Sequence, residues 1–393
     1  MFGLQHLISP IFNSEFIENY WGKRAVYIPG NDEKFHDLFG WDDINEQINY
    51  SDYSASRFKL ILDKQQLHSD ALREIRRWLT QGATLVSNSV QRYDPVLEHF
   101  ASALGKDLNT IVNINSYTSF PEKQGFDIHY DGHDVFIIQT AGNKKWAVFE
   151  PTFLYPLERH TTNRPSPPDP EKTEPYLECT THPGDVLYIP RGHWHYALAN
   201  SPSIHLTVGP QSRSGAQFLH WLTDQMANEI PSMRQDFPIA DSEALGGHRN
   251  GEDITDHLQL IKDLIMDRLN RDDLNHAFLE YCMSNALERR QAVQLPEAGM
   301  LMEQISNETV FRFIAEEKFI VNMDEDTNKA KILFRGGSVD LKDMPKTALD
   351  VLFSGTSQFT GKSILNNCQE LSWNQLKPVL LTLYSRGVIF LQT

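Results

Sequence analysis

Three side chains of this 393-residue sequence can together grip a divalent transition metal: His129 and Asp131 in His129-Tyr130-Asp131, and a histidine in Pro190-Arg191-Gly192-His193-Trp194-His195. Residues one apart on a β-strand project to the same face, so an H-x-D pair approaches one ion from one direction. A third ligand must then arrive from another strand. Two imidazoles and one carboxylate on one side of an ion leave the opposite positions open, which is the ligand set of non-heme Fe(II) oxygenases. The chemistry to expect is activation of oxygen. An H-x-D tripeptide alone is a weak signal because it recurs by chance, so its weight comes from the strands and turns around it.

Other histidines, His133, His182, His193 and His205, lie in the same region. In an extended segment His193 and His195 share a face, so periodicity does not choose between them. His205 can equally be a core histidine bonded to the backbone, the usual fate of a strand histidine. Lys144, beside the turn Ala141-Gly142-Asn143, reads by itself as a solvated surface residue, and Asn115 and Tyr117 read as barrel packing.

The elements that must position these residues run from Thr110 to about Pro210, in short stretches rich in Val, Ile, Tyr, Phe and Trp and punctuated by Gly, Pro and Asn. That texture is expected of an antiparallel barrel. Val135 to Gln139 leads through Ala141-Gly142-Asn143 into Lys144 to Phe149, which predicts a hairpin. Thr161 to Pro175 holds five prolines and is expected to be an irregular excursion near the barrel mouth. Pro183 to Pro190 predicts a turn and a strand that delivers His195 to the next strand. Together these features match a double-stranded β-helix, whose ligands come from strands facing one another across the barrel.

Before the barrel, residues 1 to about 110 form a lead-in with short helices and strands. Ser14 is expected to cap a helix carrying Phe16, Ile17 and Tyr20. Gln81 to Val86 reads as a strand and Pro95 to Leu104 as an amphipathic helix. After Gly209 the pattern turns helical, from about Ser214 to Met302, with apolar spacing at Phe218, Leu219, Trp221 and Leu222 and at Leu258, Leu260, Ile261, Leu264, Ile265 and Leu269. The stretch from about Asn307 combines Lys331 to Phe334 and Gly387 to Leu391 as strands with two helical patterns, which fits a winged-helix-like tail.

Length suggests two or three domains, and 40% hydrophobic with 22% charged residues is ordinary for a globular protein. A formal net charge of -16 disfavours nucleic-acid binding and suits a basic partner. Residues 301 to 393 carry 11 acidic and 10 basic side chains, so the tail lacks the basic excess of a DNA-binding module. No apolar run reaches roughly 18 residues, the length that suggests a membrane span. The start Met-Phe-Gly-Leu-Gln-His-Leu lacks signal-peptide features, so a cytoplasmic location with no membrane partner is expected. Cys179, Cys282 and Cys368 lack paired spacing and read as reduced thiols.

Asn115-x-Tyr117, Gln124-Gly125, His129-Tyr130-Asp131, Asp134-Val135-Phe136 with Gln139, Gly142, Lys144 and Trp146, and P-G-D-V-L-Y-I-P-R-G-x-x-H come in an order that resembles the JmjC-type cupin oxygenases of the ribosomal oxygenase group. The resemblance implies an α+β chain: a double-stranded β-helix (jelly-roll, cupin, JmjC-type), a helical segment and a winged-helix-like C-terminal domain. It implies a catalytic domain over 1–213 with its core at about 110–210, a helical dimerisation segment over 214–306, and the tail over 307–393. It selects His195 as the third ligand of Fe(II), beside His129 and Asp131. It assigns Lys144 to the distal carboxylate of the co-substrate 2-oxoglutarate, with Asn115, Tyr117 and Thr207 as further co-substrate contacts.

The activity implied is dioxygenase hydroxylation of a protein side chain, arginine or histidine of a ribosomal protein, by a homodimer that does not bind DNA. No catalytic residue beyond the metal and co-substrate ligands is implied. Bacterial arginine hydroxylases of the group carry Arg where this chain has Lys144. The alternatives are a related oxygenase acting on a biosynthetic peptide or free amino acid, and a noncatalytic metal- or ligand-binding cupin.

Overall fold

Eleven strands of the first 210 residues position the site: β1 (Val26–Ile28), β2 (Phe58–Leu62), β3 (Gln65–Gln66), β4 (Thr84–Ser87), β5 (Val112–Ser119), β6 (Val135–Ala141), β7 (Lys144–Phe149), β8 (Leu177–Thr181), β9 (Val186–Ile189), β10 (Trp194–Ala199) and β11 (Ser203–Pro210). In this computed structural model the described residues are 3–50, 54–121, 125–211, 213–237, 254–284, 305–313, 319–324, 329–334, 337–353 and 358–392. The strands form two antiparallel sheets, one ordered β1-β9-β6-β11-β5-β4-β2-β3 and one ordered β10-β7-β8.

Side-chain alternation divides each strand between two environments. On β11, Ile204, Leu206 and Val208 join Ile114, Phe136, Ile138 and Tyr188 in a core shared with the lead-in residues Leu7, Phe16, Leu97, Phe100 and Leu104. Burying each such Leu or Phe contributes roughly 2–3 kcal/mol. The intervening His205 and Thr207 face a cavity instead. A second cluster, Val135, Ile137, Trp146, Val148, Leu187 and Ile189, combines residues of both sheets. The helix Pro95–Asp107 begins where Asp94 accepts the N–H groups of Val96 and Leu97 at 2.8 and 2.9 Å.

The expected hairpin from Val135–Gln139 into Lys144–Phe149 does not form. Strand β6 pairs with β9 and β11, whereas β7 pairs with β8 and β10. Both edges of β6 are already occupied, so β7 crosses to the other sheet. Gly142 makes the crossing with φ +63°, and a Cβ there would lie 2.1 Å from the Pro202 carbonyl oxygen. Ser14 is likewise not a cap. The helix Asn13–Asn19 starts two residues earlier than a Ser14 cap would set, with Phe12 at the N-cap and Gln5 Oε1 accepting the Asn13 N–H at 3.1 Å. Phe16 is buried, while Ile17 is exposed.

From Arg213 onward the chain contributes to a second compact unit. Ser214 caps the helix Gly215–Glu229 through the Gln217 N–H at 3.2 Å, and helices Ile254–Leu269 and Leu274–Ser284 come next. The parts of the expected helical run at 238–253 and 285–304 lie outside the described residues. In the tail, Val310–Phe313 pairs with Gln358–Thr360 and Ile389–Leu391, and Lys329–Phe334 pairs with Ile320–Asp324 and Gly337–Leu341. Helices Lys346–Leu352, Gly361–Asn367 and Trp373–Ser385 complete it around Phe311, Ile332, Leu349, Leu376 and Leu380. Among the described residues no helix is long and apolar enough to cross a membrane.

The crossing at Gly142 yields a stability prediction. Gly142→Ala combines left-handed backbone with overpacking and is expected to cost about 3 kcal/mol. Chemical denaturation monitored by the near-ultraviolet signal of the barrel tryptophans checks it, and an unchanged midpoint would refute the crossing.

Candidate metal centre

His129 lies on the segment before β6, against the start of β10. His129 N–H donates to His195 O at 3.1 Å, and His195 N–H donates to His129 O at 2.7 Å. This closed pair of bonds sets the two imidazoles 4.5 Å apart, centroid to centroid. Asp131 comes next on the same face, with its Oδ2 3.6 Å from His195 Nε2. One donor atom from each of the three residues lies within 4.8 Å of the others.

Each ring is oriented by its outer nitrogen. His129 Nδ1 bonds the carbonyl of Asp127 at 2.7 Å, and His195 Nδ1 bonds the carbonyl of His193 at 3.0 Å. A carbonyl only accepts, so both protons sit on Nδ1 and both Nε2 lone pairs are free for a metal. Burial, then the neighbouring His129, pushes His195 down to about 4. Burial would raise the Asp131 carboxyl, but His195, His129, His133 and Arg164 together hold it below the ordinary carboxylate range. At neutral pH His195 is therefore unprotonated and Asp131 ionised, the forms that bind a cation. The donor set fits a divalent transition metal with open coordination positions.

His193 stands outside this cluster, its Nδ1 2.7 Å from the Tyr176 hydroxyl. Gly192 explains part of the spacing in R-G-x-x-H. It has φ +87°, its N–H donates to Asp131 O at 3.0 Å, and a Cβ would lie 2.8 Å from Phe153 O. The turn before His195 thus also holds the backbone of Asp131.

The triad opens into a cavity between the two sheets, which extends to Lys144. Lys144 is only 5% exposed. Its Nζ donates to Ser119 Oγ at 2.9 Å and to His205 Nδ1 at 3.1 Å. An ammonium group has no acceptor, so His205 accepts through Nδ1 and carries its proton on Nε2. Burial pushes Lys144 down to about 7, and burial plus Lys144 pushes His205 well down. No carboxylate pairs with Lys144 among the described residues, so the cavity holds a cation that lacks an anion.

Tyr117 lines the cavity, stacked on His205 with centroids 4.8 Å apart, and Thr207 lines it from β11. Asn115 is one step removed. Its Oδ1 accepts from Ser89 N–H at 2.9 Å and from Asn113 Nδ2 at 3.1 Å, and its amide bonds the Tyr117 hydroxyl. Gln124 lies outside the described residues. Sequence reasoning missed Ser119 and treated His205 as a core residue or rival ligand. Period-two spacing from Tyr117 to Ser119, from Lys144 to Trp146 and from His195 to Ala197 and Ala199 carries the missing signal.

Residues 88–218 match the family model described as the JmjC domain. Ribosomal oxygenase 1 of Rattus norvegicus is 28% identical over 224 residues, covering 53% of this chain and 36% of that protein. Ribosomal oxygenase 2 of Rattus norvegicus is 26% identical over 315 residues, covering 72% and 66%. The bifunctional lysine-specific demethylase and histidyl-hydroxylase NO66 of Drosophila persimilis is 25% identical over 284 residues, covering 65% and 40%. The matches therefore span less than two thirds of the length of these curated relatives. Among solved structures, YcfD, a ribosomal oxygenase from Escherichia coli in complex with cobalt and succinic acid, superposes with a TM-score of 0.66 at 16% identity, covering 98% of this chain and 99% of that one. The same protein in complex with cobalt and 2-oxoglutarate gives a TM-score of 0.63 at 17% identity, covering 98% and 99%. Residues 88–218 are thus similar to the JmjC domain, and the chain shares the fold of these ribosomal oxygenase structures.

Proposed function

We propose that the protein is an Fe(II)- and 2-oxoglutarate-dependent dioxygenase that hydroxylates a side chain of a ribosomal protein. One observation carries this reading: a single cavity holds His129, Asp131 and His195 at one place and the unpaired, buried Lys144 at another. A cupin that only holds a metal has no need of a buried cation, whereas a dicarboxylate co-substrate needs one. The complexes of Escherichia coli YcfD with cobalt and 2-oxoglutarate or succinic acid support the same pairing of ligands.

His129, Asp131 and His195 would hold the iron, a three-residue donor set that leaves coordination positions for co-substrate and oxygen. Bound Fe(II) would supply activation of O2, one oxygen atom passing into succinate as 2-oxoglutarate loses CO2 and gives two electrons, the other into the substrate C–H bond, which gives the remaining two. Lys144 pairs with the distal carboxylate, supported by Ser119 and His205, and so orients the keto acid toward the triad. Ile137, Trp146, Ala197 and Ala199 make the wall apolar and limit competing water. No side chain needs to act as acid or base, so Asn115, Tyr117 and Thr207 serve to shape and orient.

The net charge of -16 suits a basic ribosomal protein. Lys144 in place of the Arg of bacterial arginine hydroxylases, and a histidyl-hydroxylase among the relatives, favour a histidine target. Exposed Leu258, Leu260 and Met266 on the helix Ile254–Leu269 support a homodimer formed through the 214–306 segment.

Succinate formation by anaerobically purified protein given Fe(II), 2-oxoglutarate and O2, with a ribosomal protein fraction, tests the reading. Activity with the wild type and none with His195→Ala is expected. Failure to bind 2-oxoglutarate in a metal-dependent way would leave the noncatalytic cupin standing.

Lys144 adds a second prediction. Lys144→Ala is expected to keep metal binding and to weaken 2-oxoglutarate binding roughly 100-fold. In the ligand-free protein Lys144 loses its proton near pH 7 because of burial, and only the ammonium form pairs with a carboxylate. Affinity should therefore fall as pH rises above about 7, by up to about tenfold per unit. Lys144→Arg stays charged and should lose that slope. Calorimetric titration with Mn(II) and 2-oxoglutarate between pH 6.5 and 9 measures it, and a slope unaltered in Lys144→Arg would show that another group titrates.

A further inference from the structure

The proline-rich excursion after Glu158 lines no part of the cavity, yet it is bonded to the residue between the first two triad ligands. Tyr130 is fully buried and packs edge-on against Trp194, the neighbour of His195, with centroids 4.8 Å apart. Its hydroxyl donates to His160 O at 3.2 Å. Its carbonyl accepts two bonds from Arg164, from Nε at 3.1 Å and from Nη2 at 2.9 Å. Both polar ends of Tyr130 are held by one short surface segment.

The position of that carbonyl matters. It belongs to the peptide that joins Tyr130 to Asp131, so its orientation helps set the direction in which the Asp131 side chain leaves the backbone. The next carbonyl, that of Asp131, is held by Gly192 N–H at 3.0 Å. The peptides on both sides of the carboxylate ligand are therefore pinned from outside the cavity, one by the turn that carries His195 and one by Arg164. Pro165 directly succeeds Arg164, which restricts Arg164 to extended backbone, and Pro167, Pro168 and Pro170 stiffen the next stretch of chain. A stiff segment loses little entropy when it is held, so its bonds are retained.

We propose that Arg164 is a positioning residue of the metal centre: from the proline-stiffened excursion it clamps the Tyr130–Asp131 peptide and fixes the bite of His129 and Asp131 on the ion. This rests on reading the triad as a metal site. Arg164 does not line the cavity and acts through the backbone of the ligands. Its charge also favours ionised Asp131, so the clamp must be separated from simple electrostatics.

Co(II) titration of the full chain, followed by calorimetry and by the visible absorption of the bound ion, makes that separation. Arg164→Ala is expected to weaken Co(II) binding about tenfold and to alter the visible band, the range typical of groups that orient metal ligands. Arg164→Lys keeps the charge but cannot fork two donors on one oxygen, so it should recover less than half of the loss on a logarithmic scale. Tyr130→Phe removes only the second anchor of the excursion and should weaken binding about threefold, which provides a test if Arg164→Ala proves unstable in circular dichroism. Affinities within twofold of wild type for both Arg164→Ala and Tyr130→Phe would overturn the clamp, as would full rescue by Lys, which would assign the effect to charge. Absence of Co(II) binding to the wild type, with His195→Ala as the reference, would overturn the metal-site reading and the clamp together.

Discussion

The reciprocal backbone hydrogen bonds between His129 and His195 are the interaction on which the site depends. They join a segment outside the regular strands to the start of β10, and no side chain is needed to make them. Once they form, two imidazoles 66 residues apart in sequence face each other, and alternation places Asp131 on their side and Tyr130 on the other. Tyr130 then meets Trp194, so the same two bonds align the face of the candidate ligands and a packing face. The outer carbonyls that orient the rings, those of Asp127 and His193, belong to the same two segments.

A second constraint works in the opposite direction. The fold encloses the ammonium group of Lys144 between neutral partners, Ser119 and His205, at a cost in stability. The large sheet can bear it because its far face is a continuous apolar core with the lead-in helices. The cost is confined to one buried cation, and the proposed carboxylate co-substrate would relieve it. Stability lies in one face of the sheet and chemistry in the other, as the alternation of β5 and β11 allows.

This division also shows why the crossing between β6 and β7 matters. A hairpin would have placed Lys144 beside β6 in the same sheet, near its edge. Crossing at Gly142 instead puts Lys144 and Trp146 opposite Tyr117, Ser119, His205 and Thr207, where a cavity can exist between two sheets. The glycine is needed there for its left-handed backbone and for the close approach of Pro202.

The sequence by itself determined the candidate ligand types and several strand positions, because both are written locally: H-x-D spacing, which the structure places in an extended segment beside β10 rather than in a regular strand, and proline and glycine at turns. It also carried the alternation that marks Ser119 and Ala197 as neighbours of the assigned residues. Only the tertiary structure decided which histidine joins the pair, since His193 and His195 have the same period and differ in the turn around Gly192. Only it turned Lys144 from a residue beside a turn into a buried cation, because burial depends on which sheet receives β7. The partners of the proline-rich segment were hidden for the same reason: Arg164 and Tyr130 are 34 residues apart, and no local pattern encodes a bond between a side chain and a distant carbonyl. Local propensities are read along the chain, whereas register, edge occupancy and enclosure arise only when distant strands compete for the same partners.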